Sequence, residues 1–462
     1  MMNVTTPSRR TGHYTRFYRH VLWPSYEKLR GRQTHVLLRI VEANQWQSAD
    51  AVLRFQWNAL QYLLRHAEDH CAWHRARFQR TNLKADAIQT LAEFRRLPTI
   101  NRTDIREHRE EMLADNYRNR VFMHRTGGST GMPLQFYMTR ESYEWRNAIM
   151  ARGYGWAGAC DGEKTFYLWG VPLNNPTRLQ QVKTRLNDWL LRRRTYNSYR
   201  LTRDLLPHCL ESLNRFAPRL LIGYTSMLEY LARYIRKYGG LRAPLRAVIT
   251  TAEGLNTAQR QLMKEAYQCP VFHSYGSREF KLIAIECEKG GLHLSADNLL
   301  VECLHQGQPA ARGQLGEVVI TDLHNFGMPF LRYEIGDLAS PGPDSCPCGR
   351  GLPLLQDVYG RIPDTIQTPD GLLIHGTFFG QLLMWFPCID QFQVIQKQLD
   401  RIEVRLVPAD PATARAQLSE IKAKMHSILG HQIQIVCEFC DEIPVTASGK
   451  HRVVISEIPV QI

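Results

Sequence analysis

The chain lacks any long apolar run. No stretch of its 462 residues approaches the ~18–20 apolar residues that a membrane-spanning helix needs. Cysteine is thin as well: 11 in this length are too sparse for a disulfide scaffold. The expectation is a reduced, cytoplasmic protein whose cysteines are buried or bind metal. Arg9-Arg10 is a twin-arginine pair, but Thr11-Gly12-His13-Tyr14 follows where a secretory leader has its apolar core, so no leader is expected. His-Glu-x-x-His is absent, which leaves zincin chemistry without support. There is no internal repeat and no low-complexity tract. A composition of 44% hydrophobic and 22% charged residues excludes wholesale disorder.

What is in excess is positive charge: 58 Lys and Arg against 44 Asp and Glu, a net +14. It is unevenly placed. Residues 1–40 carry eight basic residues and one acid, Glu27, and residues 181–203 carry seven and one, Asp188. The remainder is near neutral, unlike a general nucleic-acid binder, and no nucleic-acid partner is expected. Residues 178–194 place Trp189, Leu190 and Leu191 beside Arg192, Arg193 and Arg194. They are expected to form a basic amphipathic helix suited to an anionic membrane surface, a coenzyme A phosphate or an acidic partner, with a solvated helix face as the plainer alternative.

Along the chain, the first hundred residues read mostly as helix, with Leu53, Trp57, Leu60, Leu63 and Leu64 at helical spacing. From Val121 short strands (165–169, 219–222, 247–250, 271–275) alternate with helices (141–152, 225–237, 257–267), which predicts an α/β fold of βαβ units. Strands continue at 299–304, 316–321 and 331–335, followed by a breaker-rich stretch, 340–349. Beyond about Gly360 come a strand (364–368), a helix (376–385), a hairpin (391–396 and 401–407), a helix (412–429) and a strand (432–439). That order predicts a small α+β domain. The division is a large domain, 1–360, and a small one, 361–462.

The most informative segment is His124-Arg125-Thr126-Gly127-Gly128-Ser129-Thr130-Gly131-Met132-Pro133. Glycines let backbone N–H groups converge on an anion, and hydroxyls add donors to phosphate oxygens. It is not a Walker A loop, because Lys-Ser/Thr does not follow the last glycine. Taken alone it also reads as a flexible surface loop. Five further segments follow in order: Thr251-Ala252-Glu253-Gly254, Tyr275-Gly276-Ser277-Arg278-Glu279, Arg332-Tyr333-Glu334-Ile335-Gly336-Asp337, Gly360-Arg361-Ile362-Pro363-Asp364 and Pro444-Val445-Thr446-Ala447-Ser448-Gly449-Lys450.

This ordered set resembles the adenylate-forming superfamily of acyl-CoA synthetases, most closely its phenylacetate-CoA ligase branch and the members tied to capsular and exopolysaccharide gene clusters. The resemblance spans about residue 20 to the C-terminus. It implies a large adenylate-forming domain with a mobile C-terminal lid. It also implies an enzyme that joins a carboxylic acid to ATP with Mg²⁺, then passes the acyl group to coenzyme A. Thr126, Gly127, Gly128, Ser129, Thr130 and Gly131 would surround the β- and γ-phosphates, with Met132 where many relatives carry a lysine. Glu279 would hold Mg²⁺. Glu253 and Gly254 would border the adenine, and Tyr275, followed by Gly276, would stack on it. Asp337 would take the ribose hydroxyls and Arg361 the nucleotide. Asp364 would be the hinge, and Lys450 would reach the α-phosphate and carboxylate oxygens as charge develops there. Trp145, Trp156 and Trp169 fall where the acid pocket usually forms, with core packing as the alternative.

The resemblance also raises a zinc reading. Cys287-x5-His293 and Cys346-x-Cys348 offer four ligands for a closed, structural Cys₃His site. Unliganded buried cysteines remain the alternative. Cys437-x2-Cys440 competes, but strand alternation puts residues three apart on opposite faces. Two functional alternatives stay open: transfer of the acyl group to an amine or carrier protein, and a peripheral membrane or scaffold protein with a relic nucleotide site. A homodimer is the family-level expectation.

Overall fold

The structure, a computed structural model, describes residues 13–125, 134–158, 162–170, 178–197, 201, 203–361, 365–370, 373–375, 379, 382, 383, 386, 388–444 and 452–458. From His13 to Phe94 the chain is mostly helical, as expected. The longest helix, Ala49–His70, begins where the Ser48 side chain accepts from the Ala51 amide, and it buries Val52, Gln56, Leu60, Leu63, Leu64 and Ala67 on one face.

Strands β1 (Val121–Arg125) and β2 (Gln135–Thr139) form an antiparallel hairpin of their own. The next strands build one large sheet. They are β3 (Thr165–Trp169), β4 (Arg193–Asn197), β5 (Leu220–Tyr224), β6 (Ala247–Thr251), β7 (Val271–Ser277), β8 (Lys281–Glu286), β9 (Leu292–Leu294), β10 (Leu299–His305), β11 (Gln308–Pro309), β12 (Gly316–Asp322), β13 (Tyr333–Pro341) and β14 (Leu354–Arg361). Their order is β11-β10-β12-β13-β14-β9-β8-β7-β6-β5-β3-β4. Strands β4, β3, β5, β6 and β7 run parallel, joined by helices, while the rest of the sheet is antiparallel. β5 and β6 are buried along their whole length, which is why they read as continuous apolar runs rather than alternating ones.

Several details depart from the expectation. The helix foreseen over 178–194 stops at Leu190. Arg192 takes a left-handed conformation, φ 49°, and the chain turns into β4, so Arg193 and Arg194 are strand residues paired with Thr165 and Phe166. The strand foreseen at 331–335 starts instead at Tyr333 and runs to Pro341. Arg332 is left-handed, φ 58°, and Pro341 is tolerated because it sits at a register shift in the pairing with β14.

The carboxy-terminal part has its own apolar core, including Ile366, Val394, Ile402, Leu406, Ile421 and Val454. β15 (Thr365–Gln367) pairs with β16 (Leu373–His375), not with the larger sheet here. That sheet orders β19 (Gln434–Phe439), β18 (Arg401–Pro408), β17 (Ile389–Gln398) and β20 (Val454–Ser456). The single helix foreseen at 412–429 is two, Pro411–Ala416 and Leu418–Leu429, separated at Gln417. The helix foreseen at 376–385 lies largely outside the described residues. Among the described residues no helix is long and apolar enough to cross a membrane.

Two buried ion pairs clamp the helix Arg140–Trp156 onto the sheet: Arg146 with Asp322, and Arg152 with Asp297. All four side chains are shut off from water, so removing one partner strands the other charge in a low-dielectric interior. Asp297→Ala should therefore lower stability by about 3–5 kcal/mol, read as an earlier urea midpoint. An unchanged midpoint would show that Arg152 finds another anion.

Candidate active site

Ligands of open α/β sheets bind outside the carboxyl ends of the parallel strands. Three sequence-predicted residues lie there. Glu253 follows β6. Its carboxylate accepts from the Ser226 amide at 2.7 Å and the Ser226 hydroxyl at 3.0 Å, and its carbonyl accepts from the Thr225 hydroxyl at 3.1 Å. Thr225 and Ser226 directly follow β5, so the neighbouring strand end holds the Glu253 loop. Gly254 continues that loop. On β7, the Tyr275 hydroxyl donates to Asp337 Oδ2 at 2.7 Å, and Asp337 is buried on β13.

The turn between β7 and β8 carries Glu279. A Cβ at Gly276 would lie 2.1 Å from the Lys281 carbonyl oxygen, so this tight hairpin requires glycine. Glu279 is only 2% exposed. Its Oε1 accepts from Arg102 Nη2 at 3.1 Å, and Arg102 Nε donates to the Tyr333 hydroxyl at 3.3 Å. Burial, then the Glu279 charge, pushes the Tyr333 hydroxyl up, so it stays protonated. Sequence reasoning missed Arg102, which lies far from Glu279 in the chain and in no motif.

Arg361, the last residue of β14, pairs in the ladder with Asp337. Tyr275, Gly276, Glu279, Asp337 and the Arg361 backbone thus converge, and Glu253 and Gly254 lie at the adjacent strand end. Thr126, Gly127, Gly128, Ser129, Thr130, Gly131, Asp364 and Lys450 lie outside the described residues. His124 ends just short of that loop. Burial lowers its pKa, and so do Arg146, Lys281 and Arg278, which keeps the imidazole neutral at pH 7.

A second missed residue is Lys281, left-handed at φ 60°. Its ammonium donates to Asn147 Oδ1 and sits 3.7 Å from the centroid of the Tyr143 ring. Burial, and then Arg146, pulls its pKa down to about 7. No spacing signal marks it; only the hairpin brings it against the helix. The tryptophans are largely packing groups. Trp145 stacks on His324 at 3.8 Å, Trp156 meets the His293 ring edge-on, and Trp169 packs on Tyr224.

Elsewhere in the sheet, Cys287, His293, Cys346 and Cys348 place their ligand atoms within 4.8 Å of one another. Cys287 Sγ and Cys346 Sγ are 3.6 Å apart, close to the ~3.8 Å edge of a tetrahedron with 2.3 Å metal–sulfur bonds. With its Nδ1 donating to the Leu352 carbonyl at 3.0 Å, His293 turns a bare Nε2 toward Cys348 Sγ, 3.2 Å away. Backbone amides of Lys289 and Arg350 donate to the sulfurs of Cys287 and Cys348. A Cβ at Gly291 would fall 2.6 Å from Cys346 Sγ. Cys437 and Cys440 are not part of this cluster.

Lys281 provides a pH test of this geometry. Its folded pKa of about 7 lies below its unfolded value, so the unfolded chain binds the extra proton between about pH 7 and 10.5. The cost of burying it is fully present below about pH 7 and fades as pH rises through that window. Lys281→Met should melt above the parent at pH 6, and the two melting temperatures should converge near pH 10. A difference independent of pH would contradict a desolvated ammonium.

Residues 366–457 match a family model described as the CapK C-terminal domain. Protein CapK of Staphylococcus aureus is 25% identical over 390 residues, which cover 82% of this chain and 84% of that protein. A phenylacetate-coenzyme A ligase of Thermus thermophilus is 23% identical over 377 residues, 77% of this chain and 81% of the other. A crystal structure of 2-hydroxyisobutyryl-CoA ligase in the postadenylation state, in complex with 2-HIB-AMP, superposes with a TM-score of 0.69 at 20% identity. That likeness covers 88% of this chain and 89% of that one. The chain is a homologue of CapK and of the phenylacetate-coenzyme A ligases, built on the fold of the adenylate-forming CoA ligases.

Proposed function

We propose that the protein is an AMP-forming carboxylate–CoA ligase. The observation that carries this reading is the convergence, at one sheet edge, of Tyr275 bonded to Asp337 with Glu279 held by Arg102. In the first half-reaction a substrate carboxylate oxygen attacks the α-phosphorus of ATP, and the α–β bridging oxygen leaves with pyrophosphate. In the second, a thiolate attacks the acyl carbon and AMP leaves. Neither step needs a protein nucleophile, so the residues act by position and charge.

Asp337 is suited to accept from ribose hydroxyls while Tyr275 fixes its orientation, and Tyr275 offers its ring face to the base. Glu253 spends its carboxylate on Ser226, which leaves backbone groups of the Glu253-Gly254 loop to border the base. The glycine-rich loop, Thr126–Gly131, is assigned the β- and γ-phosphates, and Lys450 the developing charge at the α-phosphate. Arg361 is assigned to the nucleotide and Asp364 to the hinge.

Glu279 suits Mg²⁺. Arg102 bonds Oε1, Oε2 accepts no bond from a described residue, and magnesium is commonly held by one carboxylate plus substrate phosphates. When bound, the ion neutralises phosphate charge as pyrophosphate departs. The Cys₃His cluster suits Zn²⁺ in a structural role. Four protein ligands leave no open position, and the cluster ties the loop between β13 and β14 to β8 and β9.

Incubation with ATP, Mg²⁺ and a panel of carboxylic acids should release pyrophosphate with at least one acid, then form a thioester once coenzyme A is added. Lys450→Ala and Glu279→Gln should each lower acid-dependent release by roughly 10²–10³-fold, with Lys450→Ala leaving the melting temperature unchanged. Full release by the Lys450 variant would remove that assignment, and no release with any acid would remove the ligase reading. Metal analysis of the purified protein should find about one zinc per chain. Cys346→Ser with Cys348→Ser should lose it and melt earlier, and a metal-free parent would contradict the zinc site.

A further inference from the structure

The edge of the sheet opposite the candidate site carries a row of cations. Arg246, Arg219, Lys164 and Arg192 each immediately precede one of four adjacent parallel strands, β6, β5, β3 and β4. Backbone bonds link the row: the Arg246 amide donates to the Arg219 carbonyl, the Arg219 amide to the Lys164 carbonyl, and the Thr165 amide to the Arg192 carbonyl. All four residues line one cavity of about 170 Å³ in which Glu163 is the lone acid; Lys164 also donates to the Phe216 carbonyl at 3.0 Å and Arg192 to the Gly162 carbonyl at 3.4 Å. No carboxylate of a described residue makes an ion pair with Arg219 or Arg246. Like charges held this close favour an anion between them.

The helix Arg178–Leu190 ends beside this row. Val182, Leu186 and Trp189 are 61%, 63% and 71% exposed. At helical spacing they fall within an arc of about 60°, with Lys183 on one flank and Arg185 on the other. A helix of this length is marginal in water unless its apolar face is covered. The adjoining segment extends the surface: Tyr14 donates to the Leu190 carbonyl and lies under Arg192, and Phe17 and Val21 nearby are about half exposed. A soluble anion gains nothing from three exposed apolar side chains. An apolar stripe between cationic flanks, next to a cation-lined cavity, matches the interface of an anionic bilayer.

We propose that the helix Arg178–Leu190 and the amino edge of the parallel strands dock the protein on an anionic lipid surface, with a lipid phosphate in the cavity formed by Lys164, Arg192, Arg219 and Arg246. Docking at that edge leaves the carboxyl ends of the same strands facing away from the bilayer, so the two sites do not compete.

The test is co-sedimentation of the full chain with phosphatidylcholine vesicles, alone or with about 30 mol % phosphatidylglycerol. Binding should require the anionic lipid. Leu186→Ser with Trp189→Ser, Lys183→Glu with Arg185→Glu, and Arg219→Glu with Arg246→Glu should each reduce it about tenfold or more. Circular dichroism and light scattering confirm that each variant keeps its fold and its mass. Three results would overturn the proposal: equal binding to neutral vesicles, parent-like binding by the variants, or a dimer that the Leu186 and Trp189 changes dissociate, since a second copy would then cover the face. None of these readouts depends on ligase activity.

Discussion

A carboxylate as deeply buried as Glu279 needs a compensating cation, and Arg102 provides it. Much of the candidate site hangs on that pairing. Arg102 comes from the helical amino-terminal layer, Glu279 from the hairpin turn between β7 and β8, and Tyr333, which Arg102 also bonds, from the start of β13. One guanidinium therefore ties three separate parts of the chain around one point. Gly276 lets the hairpin close tightly enough to set Glu279 there, and Tyr275, the residue before it, reaches Asp337 on β13. The ion pair, the tight turn and the tyrosine–aspartate bond form one connected unit.

The large sheet has two chemically distinct edges. At the carboxyl ends of the parallel strands stand acids and hydroxyls: Glu253, Tyr275, Glu279 and the Thr225-Ser226 turn. At the amino ends of four of the same strands stand Arg246, Arg219, Lys164 and Arg192. The excess charge of the chain is thus not a diffuse property. Part of it is set out by the strand ladder itself at one edge, away from the groups assigned to chemistry, and part flanks an exposed apolar stripe on the adjoining helix.

Much of this was legible beforehand, for a physical reason. Short strands such as 219–222 and 247–250 alternate with helices, and that order already implies βαβ units around a buried sheet. The motifs that follow the strands were readable in order, and the resemblance they carry pointed to Gly276 and the Glu253-Gly254 loop. Arg102 and Lys281 were not. Their roles come from long-range pairing with Glu279 and with Asn147, and no local spacing encodes a contact of that range. The break of the 178–194 segment at Arg192 escaped for the same reason: residues 193–197 are a strand because β3 pairs with them, not because of their own propensity. Cys287, His293, Cys346 and Cys348 were readable as ligand types, but only the pairing of β14 with β9 brings the two halves together.

The adenylation reading rests on reversible chemistry at the α-phosphate, and ATP–pyrophosphate exchange measures that step without coenzyme A. The full chain, given ATP, Mg²⁺, radiolabelled pyrophosphate and its carboxylic acid, should incorporate label into ATP only when the acid is present, and Glu279→Gln should lose that incorporation. Exchange that ignores the acid, or that survives unchanged in Glu279→Gln, would contradict it.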